Sequence, residues 1–226
     1  MLSNGKIIAI DGPAGAGKST IAKEVARKLG YIYIDTGAMY RALTLKALNL
    51  EIKLNDEVAL TCMAQNTDIA LSYDENNNQL IFIDGQDVSK DIRNPLVSQK
   101  VSLVAKAPGV RDELVNLQRQ LASRGNVVMD GRDIGTNVLP NANFKFYITA
   151  TVEERARRRY LEMNKQGFTV NLDQLKDDIS TRDKADKERA TAPLIQAPDA
   201  ILIDTSNMNI ESVVECTLNH IKRGEA

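Results

Sequence analysis

A glycine-rich segment directly after an apolar run constrains this chain more than any other feature. Residues 12–19 read GPAGAGKS, and residues 6–11 before them read KIIAID. Residues 19–29 then repeat apolar side chains at helical spacing. Glycine adopts backbone angles that other residues avoid, so amide N–H groups can crowd around an anion. The order strand, loop and helix is the context in which G-x-x-x-x-G-K-[ST] binds a nucleoside triphosphate.

The residue types in this loop match the parts of a triphosphate bound with magnesium. The start of the helix adds unpaired N–H donors and the positive end of its dipole. Lys18 would bring a cation to the β and γ phosphates, and the Ser19 hydroxyl would ligate Mg²⁺ directly or through water. The residues predicted to bind the triphosphate are Gly12, Pro13, Ala14, Gly15, Ala16, Gly17, Lys18, Ser19 and Thr20.

Short apolar runs alternate with helical patterns along the chain. The predicted strands cover residues 6–11, 31–35, 126–130, 144–150 and 200–204. Runs that are apolar at nearly every position are typical of strands covered on both faces of a parallel sheet. We therefore expect an α/β fold with an open parallel five-stranded sheet and helices on both faces. Residues 67–89 instead predict a small antiparallel β insert around a turn rich in Asn and Asp.

Composition argues against several other classes of protein. The 226 residues carry a net charge of −1, whereas a nucleic-acid-binding protein usually has a basic surplus. No apolar run is long enough to cross a bilayer, and no secretory signal is evident. Cys62 and Cys216 lie far apart. This use of cysteine predicts reduced thiols in a cytoplasmic protein.

Two expected signatures of other triphosphate-binding proteins are missing from the sequence. A GTPase would be expected to carry N-K-x-D, but residues 164–167 read NKQG. An AAA-type ATPase would usually end a later strand with Asp-Glu, but residues 130–133 read DGRD. These differences favour phosphoryl transfer to a small acceptor.

Two segments after strands carry candidate acceptor-binding residues. Residues 35–41 read DTGAMYR, where Thr36 is a candidate helix cap and Arg41 could bind a phosphate with its planar fork. Residues 130–136 read DGRDIGT and follow a strand at the edge where open α/β sheets bind ligands. Asp130 could orient the water shell of Mg²⁺, although a simple polar turn is the alternative interpretation.

A highly charged helical region covers residues 151–192. Arg182, Asp186 and Arg189 lie four and three residues apart and so share one helical face. They form either an intrahelical salt-bridge ladder or a set of charges delivered to the transferred phosphoryl group. A second cluster contains Arg155, Arg157, Arg158 and Arg159.

Four motifs together resemble the bacterial cytidylate kinases over essentially the whole chain. They are GPAGAGKST, IDTGAMYRA, MDGRDIGT and TRDKADKERATAPL, and the β insert lies among them. The resemblance implies one P-loop kinase domain over 1–226, with an acceptor-binding region at 36–108 and a helical lid at 155–190. It also implies transfer of the γ-phosphoryl of ATP, with Mg²⁺, to CMP or dCMP.

The resemblance also assigns residues to the two nucleotides. Thr36, Arg41 and Arg132 would meet the acceptor phosphate. Ser102, Arg111 and Asp133 would contact the cytosine, while Arg182 and Asp186 would hold the sugar hydroxyls. Arg189 would clamp phosphates, and Arg158 in the lid would contact ATP. The implied catalytic residues are Lys18, Arg132, Arg182 and Arg189.

The residues leave some alternatives open. Another acceptor, such as UMP, AMP or shikimate, would need a similar loop, and a nucleotide-dependent regulator with little transferase activity is a rival of another class. The sequence does not distinguish CMP from dCMP as the preferred acceptor. We expect a monomer that binds small molecules, with no nucleic-acid or membrane partner.

Overall fold

Five apolar runs form one sheet in the computed structural model, which describes residues 5–75, 78–165 and 167–224. The strands in these residues are β1 (Ile7–Asp11), β2 (Ile32–Asp35), β3 (Ile69–Tyr73), β4 (Gln79–Ile83), β5 (Gln86–Asp87), β6 (Val127–Asp130), β7 (Phe144–Thr149) and β8 (Ile201–Asp204). The larger sheet has the order β2-β6-β1-β7-β8. Strand β1 runs parallel to β6 and β7, and β7 runs parallel to β8. The predicted parallel sheet is confirmed, with every strand within one residue of its expected ends.

The helices follow the predicted alternation with strands. They are α1 (Lys18–Leu29), α2 (Thr36–Asn49), α3 (Glu57–Gln65), α4 (Pro95–Val104), α5 (Pro108–Ala122), α6 (Val152–Lys165), α7 (Leu172–Glu188) and α8 (Ile210–Arg223). A short π-helical turn covers Ile134–Val138. Helix α1 ends at Gly30, which adopts the left-handed conformation at φ 69°. No helix in the described ranges is long and apolar enough to span a membrane.

The chain divides into two compact units, Met1–Tyr33 with Arg124–Ala226, and Ile34–Ser123. The core of the first unit lies between its strands and helices α1 and α8. Ile8 and Ile10 of β1 are fully buried there, with Phe146 of β7 and Val213 of α8 in the same cluster. Burial on both faces of β1 explains why its sequence is an unbroken apolar run. The glycine loop therefore begins directly after a fully packed strand.

Helices α6 and α7 pack against each other within the first unit. Ala156 and Met163 of α6 form a small cluster with Leu175 and Ile179 of α7. Few other large apolar side chains are available to this pair, as its charged sequence indicates. The predicted lid at 155–190 includes most of α6 and all of α7, and residue 166 within it lies outside the described residues.

The second unit contains helices α2 to α5 and a three-stranded sheet of order β3-β4-β5. Strands β3 and β4 are antiparallel, with Ile69 opposite Ile83 and Tyr73 opposite Gln79. The predicted antiparallel insert at 67–89 is therefore confirmed. Its expected turn at 74–78 includes residues 76 and 77, which lie outside the described residues. The apolar face of β4 joins a core of helical side chains that includes Met39, Leu43, Leu60 and Leu114.

Candidate active site

The loop between β1 and α1 has a backbone that only glycine accommodates easily. Gly12 has φ 144°, and a Cβ atom there would overlap the carbonyl oxygen of Ile148 on β7. Gly17 adopts φ 88° directly before α1 begins at Lys18. Left-handed angles at these positions turn the chain sharply into the helix. The unpaired N–H groups at the start of α1 then provide an anion site.

Lys18 is held in place within this loop. Its side chain is buried, and Nζ donates a hydrogen bond to the carbonyl oxygen of Pro13 at 2.8 Å. Burial, followed by repulsion from Arg132, lowers the pKa of Lys18 to about 7. A polyphosphate beside Nζ would favour the ammonium form by direct attraction. The site therefore has a buried cation whose charge an anionic ligand would stabilise.

Ser19 and Asp130 bring two oxygen ligands together beside the loop. Ser19 Oγ donates to Asp130 Oδ2 at 2.8 Å, and the Tyr33 hydroxyl donates to Asp130 Oδ1 at 2.9 Å. Mg²⁺ prefers hard oxygen ligands and commonly takes one or two protein groups together with phosphates and water. A hydroxyl and a carboxylate at the mouth of a phosphate-binding loop fit that pattern.

Asp11 is a buried residue directly before the glycine loop that the sequence patterns did not single out. Its buried carboxylate accepts the N–H groups of Ile134 and Gly135 at 2.8 and 2.7 Å. Burial raises the pKa of Asp11 to about 6 despite these two hydrogen bonds. The contact joins the end of β1, directly before the glycine loop, to the segment after β6. An acidic residue closing an otherwise apolar strand was the available sequence signal.

Two ion pairs join the segment after β6 to helix α7 and to Arg189, the residue directly after α7. Arg132 Nε lies 2.9 Å from Asp186 Oδ2, and Arg189 Nη2 lies 2.9 Å from Asp133 Oδ1. Four predicted site residues therefore contact each other in the first unit. The partners of Asp186 and Arg189 come from the segment after β6, so a ladder confined to the helix does not describe these residues. The expectation that Arg189 shares a helical face with Arg182 and Asp186 is wrong, because α7 ends at Glu188 and Arg189 has extended backbone.

The electrostatics of these pairs reflect their burial. Burial alone would lower the pKa of Arg132, but attraction and hydrogen bonding to Asp186, together with attraction to Asp130 and Asp183, outweigh it and raise that pKa. Burial opposes ionisation of Asp186 too, and attraction to Arg132 and then Arg182 lowers its pKa overall. Both residues are therefore charged at neutral pH. Because an unpaired buried charge is costly, a ligand that separates them must supply replacement partners.

The four arginines near the start of α6 have different surroundings. Arg158 Nη2 donates to the carbonyl oxygen of Thr205 at 2.6 Å, and its Nε donates to Glu154 at 2.8 Å. A Cβ atom built on Gly17 would lie 3.7 Å from Arg158 Nη1, which locates this guanidinium beside the glycine loop. Arg157 instead pairs with Glu154 on the surface, where its side chain is 59% exposed. Arg158 is the better-placed of the two for a bound triphosphate.

Arg155 makes contacts that the sequence analysis did not anticipate. Its Nε donates to the carbonyl oxygen of Ala150, and its Nη1 donates to that of Ala14, each at 2.9 Å. Its Nη2 lies 2.6 Å from Asp183 of α7. Gly15 permits the approach, since a Cβ there would lie 3.3 Å from Arg155 Cβ. One buried guanidinium thus joins the glycine loop, the end of β7 and α7.

In the second unit, Arg41 is fixed by the residue that caps its own helix. Asp35 Oδ1 accepts the N–H of Ala38 at 2.8 Å, and Asp35 Oδ2 accepts a hydrogen bond from Arg41 Nη2 at 3.0 Å. The expectation that Thr36 caps the helix is wrong, because Asp35 does so and Thr36 is the first helical residue. Asp35 reaches the helix N–H with a longer acidic side chain and also neutralises Arg41.

The other predicted acceptor residues of the second unit lie on α4 and α5. Arg111 is only 2% exposed, and its guanidinium carbon lies 5.8 Å from the centre of the Tyr40 ring. This distance is within the range of a cation–π contact. Ser102 is partly buried on α4. Thr36, Arg41, Ser102 and Arg111 thus all belong to one unit, whereas Arg132, Asp133, Arg182, Asp186 and Arg189 belong to the other.

Solved structures similar to this one identify the class of fold. Shikimate kinase from Bacteroides thetaiotaomicron matches with a TM-score of 0.50 and 18% identity, over 96% of this chain and 98% of that chain. An uncharacterized protein from Eubacterium ventriosum matches with a TM-score of 0.52 and 14% identity, over 96% and 98% of the two chains. The fold, with its glycine loop between β1 and α1, is that of the P-loop kinases.

Sequence comparison then defines the family. A family model described as cytidylate kinase matches residues 8–223. The cytidylate kinase of Desulforamulus reducens is 54% identical over 97% of this chain and 98% of its own length. That of Bacillus licheniformis is 52% identical, with 96% of each chain covered. The chain therefore belongs to the cytidylate kinase family and is a kinase, as the motif resemblance implied.

Proposed function

We propose that this kinase transfers the γ-phosphoryl group of ATP to CMP and dCMP, producing ADP with CDP or dCDP. One observation carries the proposal. In a chain of the cytidylate kinase family, a complete phosphate-binding loop shares its unit with two arginine–aspartate pairs, the partly buried Arg132–Asp186 and the buried Arg189–Asp133. A phosphate-binding loop with guanidinium groups in the same unit suits phosphoryl transfer, because catalysis consists mainly of placement and charge neutralisation.

The donor nucleotide would bind to the glycine loop. Residues 12–20 would surround its phosphates with N–H groups, and Lys18 would contact the β and γ phosphates. Arg158 would cover the adenine, since Thr205 and Glu154 already hold its guanidinium beside the loop. A planar guanidinium held by several hydrogen bonds is suited to stacking on a base.

Ser19 and Asp130 would hold Mg²⁺, Ser19 directly or through water and Asp130 through water. When bound, the ion supplies charge neutralisation to the phosphates. Tyr33 and Ser19 fix the two carboxylate oxygens of Asp130 in the protein alone. This support would orient the carboxylate toward the water shell of the ion.

Each of the predicted acceptor-binding residues has a chemistry that suits one part of CMP. Thr36, Arg41 and Arg132 would bind the acceptor phosphate. Asp133 would accept from the cytosine amino group, while Ser102 and Arg111 would donate to the ring acceptors. Arg182 and Asp186 would bind the sugar hydroxyls, and Arg189 would clamp phosphates.

The ion pairs also suggest how the acceptor could bind without leaving any buried charge unpaired. Arg132 and Arg189 each hold a carboxylate in the protein described here. The acceptor would offer a phosphate to the arginines, and its amino and hydroxyl groups to the released carboxylates. Each charged side chain would then exchange one partner for another, which avoids the cost of an unpaired buried ion.

No strong general base is needed in this proposal. The acceptor phosphate is already anionic near neutral pH, so the protein only has to align it with the donor. Lys18, Arg132, Arg182 and Arg189 would stabilise charge on the transferred group.

A panel of acceptors tests the proposal. ATP and Mg²⁺ are supplied with CMP, dCMP, UMP, AMP or shikimate, and ADP formation is followed by a coupled assay. We expect the two cytidine nucleotides to give the highest kcat/KM values. A higher value with another acceptor would reject the assignment of the substrate, and ATP turnover that ignores every acceptor would instead favour a nucleotide-dependent regulator.

We also infer a cytoplasmic, monomeric enzyme without a nucleic-acid partner. Cys62 and Cys216 are both free thiols, which suits a reducing compartment. The net charge of −1 offers little attraction for a phosphate backbone. Light scattering after size-exclusion chromatography would test the monomer, and a dimer mass would contradict it.

A further inference from the structure

The start of α2 contains a connected set of contacts that links Arg41 to the β insert. Asp35 caps the helix through Oδ1 and binds Arg41 through Oδ2. The N–H of Asp35 donates in turn to Gln79 Oε1 at 2.9 Å. Gln79 is the first residue of β4, in the insert. Asp35 is therefore held from one side by Gln79 and holds Arg41 on the other.

Strand β4 is attached to α2 at both of its ends. Gln79 contacts Asp35 at the first end, and Asp84, directly after the strand, lies 2.6 Å from Lys46 Nζ at the second. Five residues of extended chain and eleven residues of helix separate these two contacts. Both separations correspond to about 16 Å, so the length of the strand between the two contacts matches the length of the helix between them.

The segment around Gly37 leaves little space between Asp35 and Arg41. A Cβ atom on Gly37 would lie 3.1 Å from both Asp35 Oδ1 and Arg41 Nη1. The guanidinium is thus packed closely against the backbone of the first helical turn. Arginine has many rotamers in solution, and a side chain ordered before binding loses less freedom when it captures an anion.

We propose that Gln79 is a positioning residue for the acceptor phosphate. By accepting the N–H of Asp35, Gln79 fixes the carboxylate that orients Arg41. The insert thereby acts on acceptor affinity through a single side-chain amide. This inference rests on the proposed function, in which Arg41 binds the phosphate of CMP.

The test compares the two ends of β4. Gln79→Leu removes the acceptor oxygen at the end near Arg41, while Asp84→Asn weakens the attachment to Lys46 at the far end. Asn tolerates the left-handed backbone at position 84, where φ is 49°. The Asp84→Asn variant therefore serves as a matched control for loosening of the insert.

We expect Gln79→Leu to raise the KM for CMP about 3–10-fold, as loss of one hydrogen bond to a binding residue implies. The kcat value and the KM for ATP should change less than about twofold, because Arg41 would contribute equally to ground-state and transition-state binding. Gln79→Glu keeps an acceptor oxygen and should restore a KM closer to that of the wild type. Asp84→Asn should lower the melting temperature and leave the KM for CMP unchanged.

A purely structural role predicts a different pattern. In that case the Gln79→Leu and Asp84→Asn variants would lose similar amounts of melting temperature. The KM for CMP would be unchanged in both variants or raised equally in both, and either result would overturn the inference. If Gln79→Leu does not fold, Gln79→Asn provides a milder change that shortens the side chain, and a wild-type KM there would also overturn it. Absence of CMP phosphorylation by the wild type would instead reject the proposed function.

Discussion

The two units of the molecule hold their functional arginines in different ways. In the first unit, Arg189 contacts Asp133, which is 56 residues away, and Arg155 contacts the carbonyl of Ala14, which is 141 residues away. In the second unit, Arg41 contacts Asp35, only six residues away in the same helical segment. Distant elements thus build the first arrangement, whereas local helix geometry builds most of the second.

This difference has consequences for the effects of substitution. A long-range ion pair joins elements that fold together, so its loss should affect stability and chemistry at once. A pair formed within one helical segment contributes less to the tertiary structure. Substitutions around Arg41 should therefore separate acceptor affinity from stability. Four substitutions test this contrast.

The largest effect is expected for Arg189→Ala in the first unit. This change removes a charge proposed to stabilise the transferred group and leaves the buried Asp133 carboxylate without its ion-pair partner. We expect kcat with CMP to fall about 10²–10³-fold. Urea unfolding should also show a loss of stability of about 3–5 kcal/mol. An unchanged kcat would remove Arg189 from the mechanism.

Asp11→Asn should have the next largest effect, and its effect on the free energy of unfolding should depend on pH. Because the folded pKa of about 6 lies above the ordinary value of 3.8, the native state binds more protons than the unfolded state between these values. Wild-type stability should therefore fall as pH rises from about 4 to 6, relative to the variant, which cannot titrate there. Urea unfolding of both proteins across this range measures the difference. A constant difference from pH 4 to 6 would contradict the burial argument.

A smaller effect is expected for Arg155→Lys. Lysine cannot reproduce the three directed hydrogen-bond contacts to Ala14, Ala150 and Asp183, so the glycine loop should be less well held. We expect the KM for ATP to rise about 5–10-fold. Arg157→Lys on the same helix is the matched control, and its exposed position predicts a change below about twofold. Equal effects of the two variants would show that Arg155 has no special role.

The smallest effect is expected for Gly37→Ala in the second unit. The added methyl group would lie 3.1 Å from Arg41 Nη1 and Asp35 Oδ1 and should displace the guanidinium slightly. We expect the KM for CMP to rise about 2–5-fold, while the better helix former adds up to about 1 kcal/mol of stability. A weaker affinity for CMP together with an unchanged or higher stability would support the contrast between the units. A parallel loss of both would contradict it.

Sequence patterns predicted the fold well where local features determine it. The continuous apolar runs located all five strands of the parallel sheet within one residue. The glycine loop was predicted from spacing, because its backbone requires glycine at fixed positions. The antiparallel insert was also found, since its alternating strands end in polar turns.

The contacts that complete the site could not be predicted in the same way. The cap of α2 was assigned to Thr36 instead of Asp35, because both residue types favour that position. Asp11, Arg155 and Gln79 act on partners between 44 and 141 residues away. No local spacing indicates such partners, so these roles required the tertiary structure.

The most direct test of the account follows the phosphorus atom itself. ATP labelled at the γ position is incubated with the protein, Mg²⁺ and CMP, and the nucleotides are separated. We expect labelled CDP in an amount equal to the ADP formed. Label that appears only in inorganic phosphate, with no labelled CDP, would contradict it.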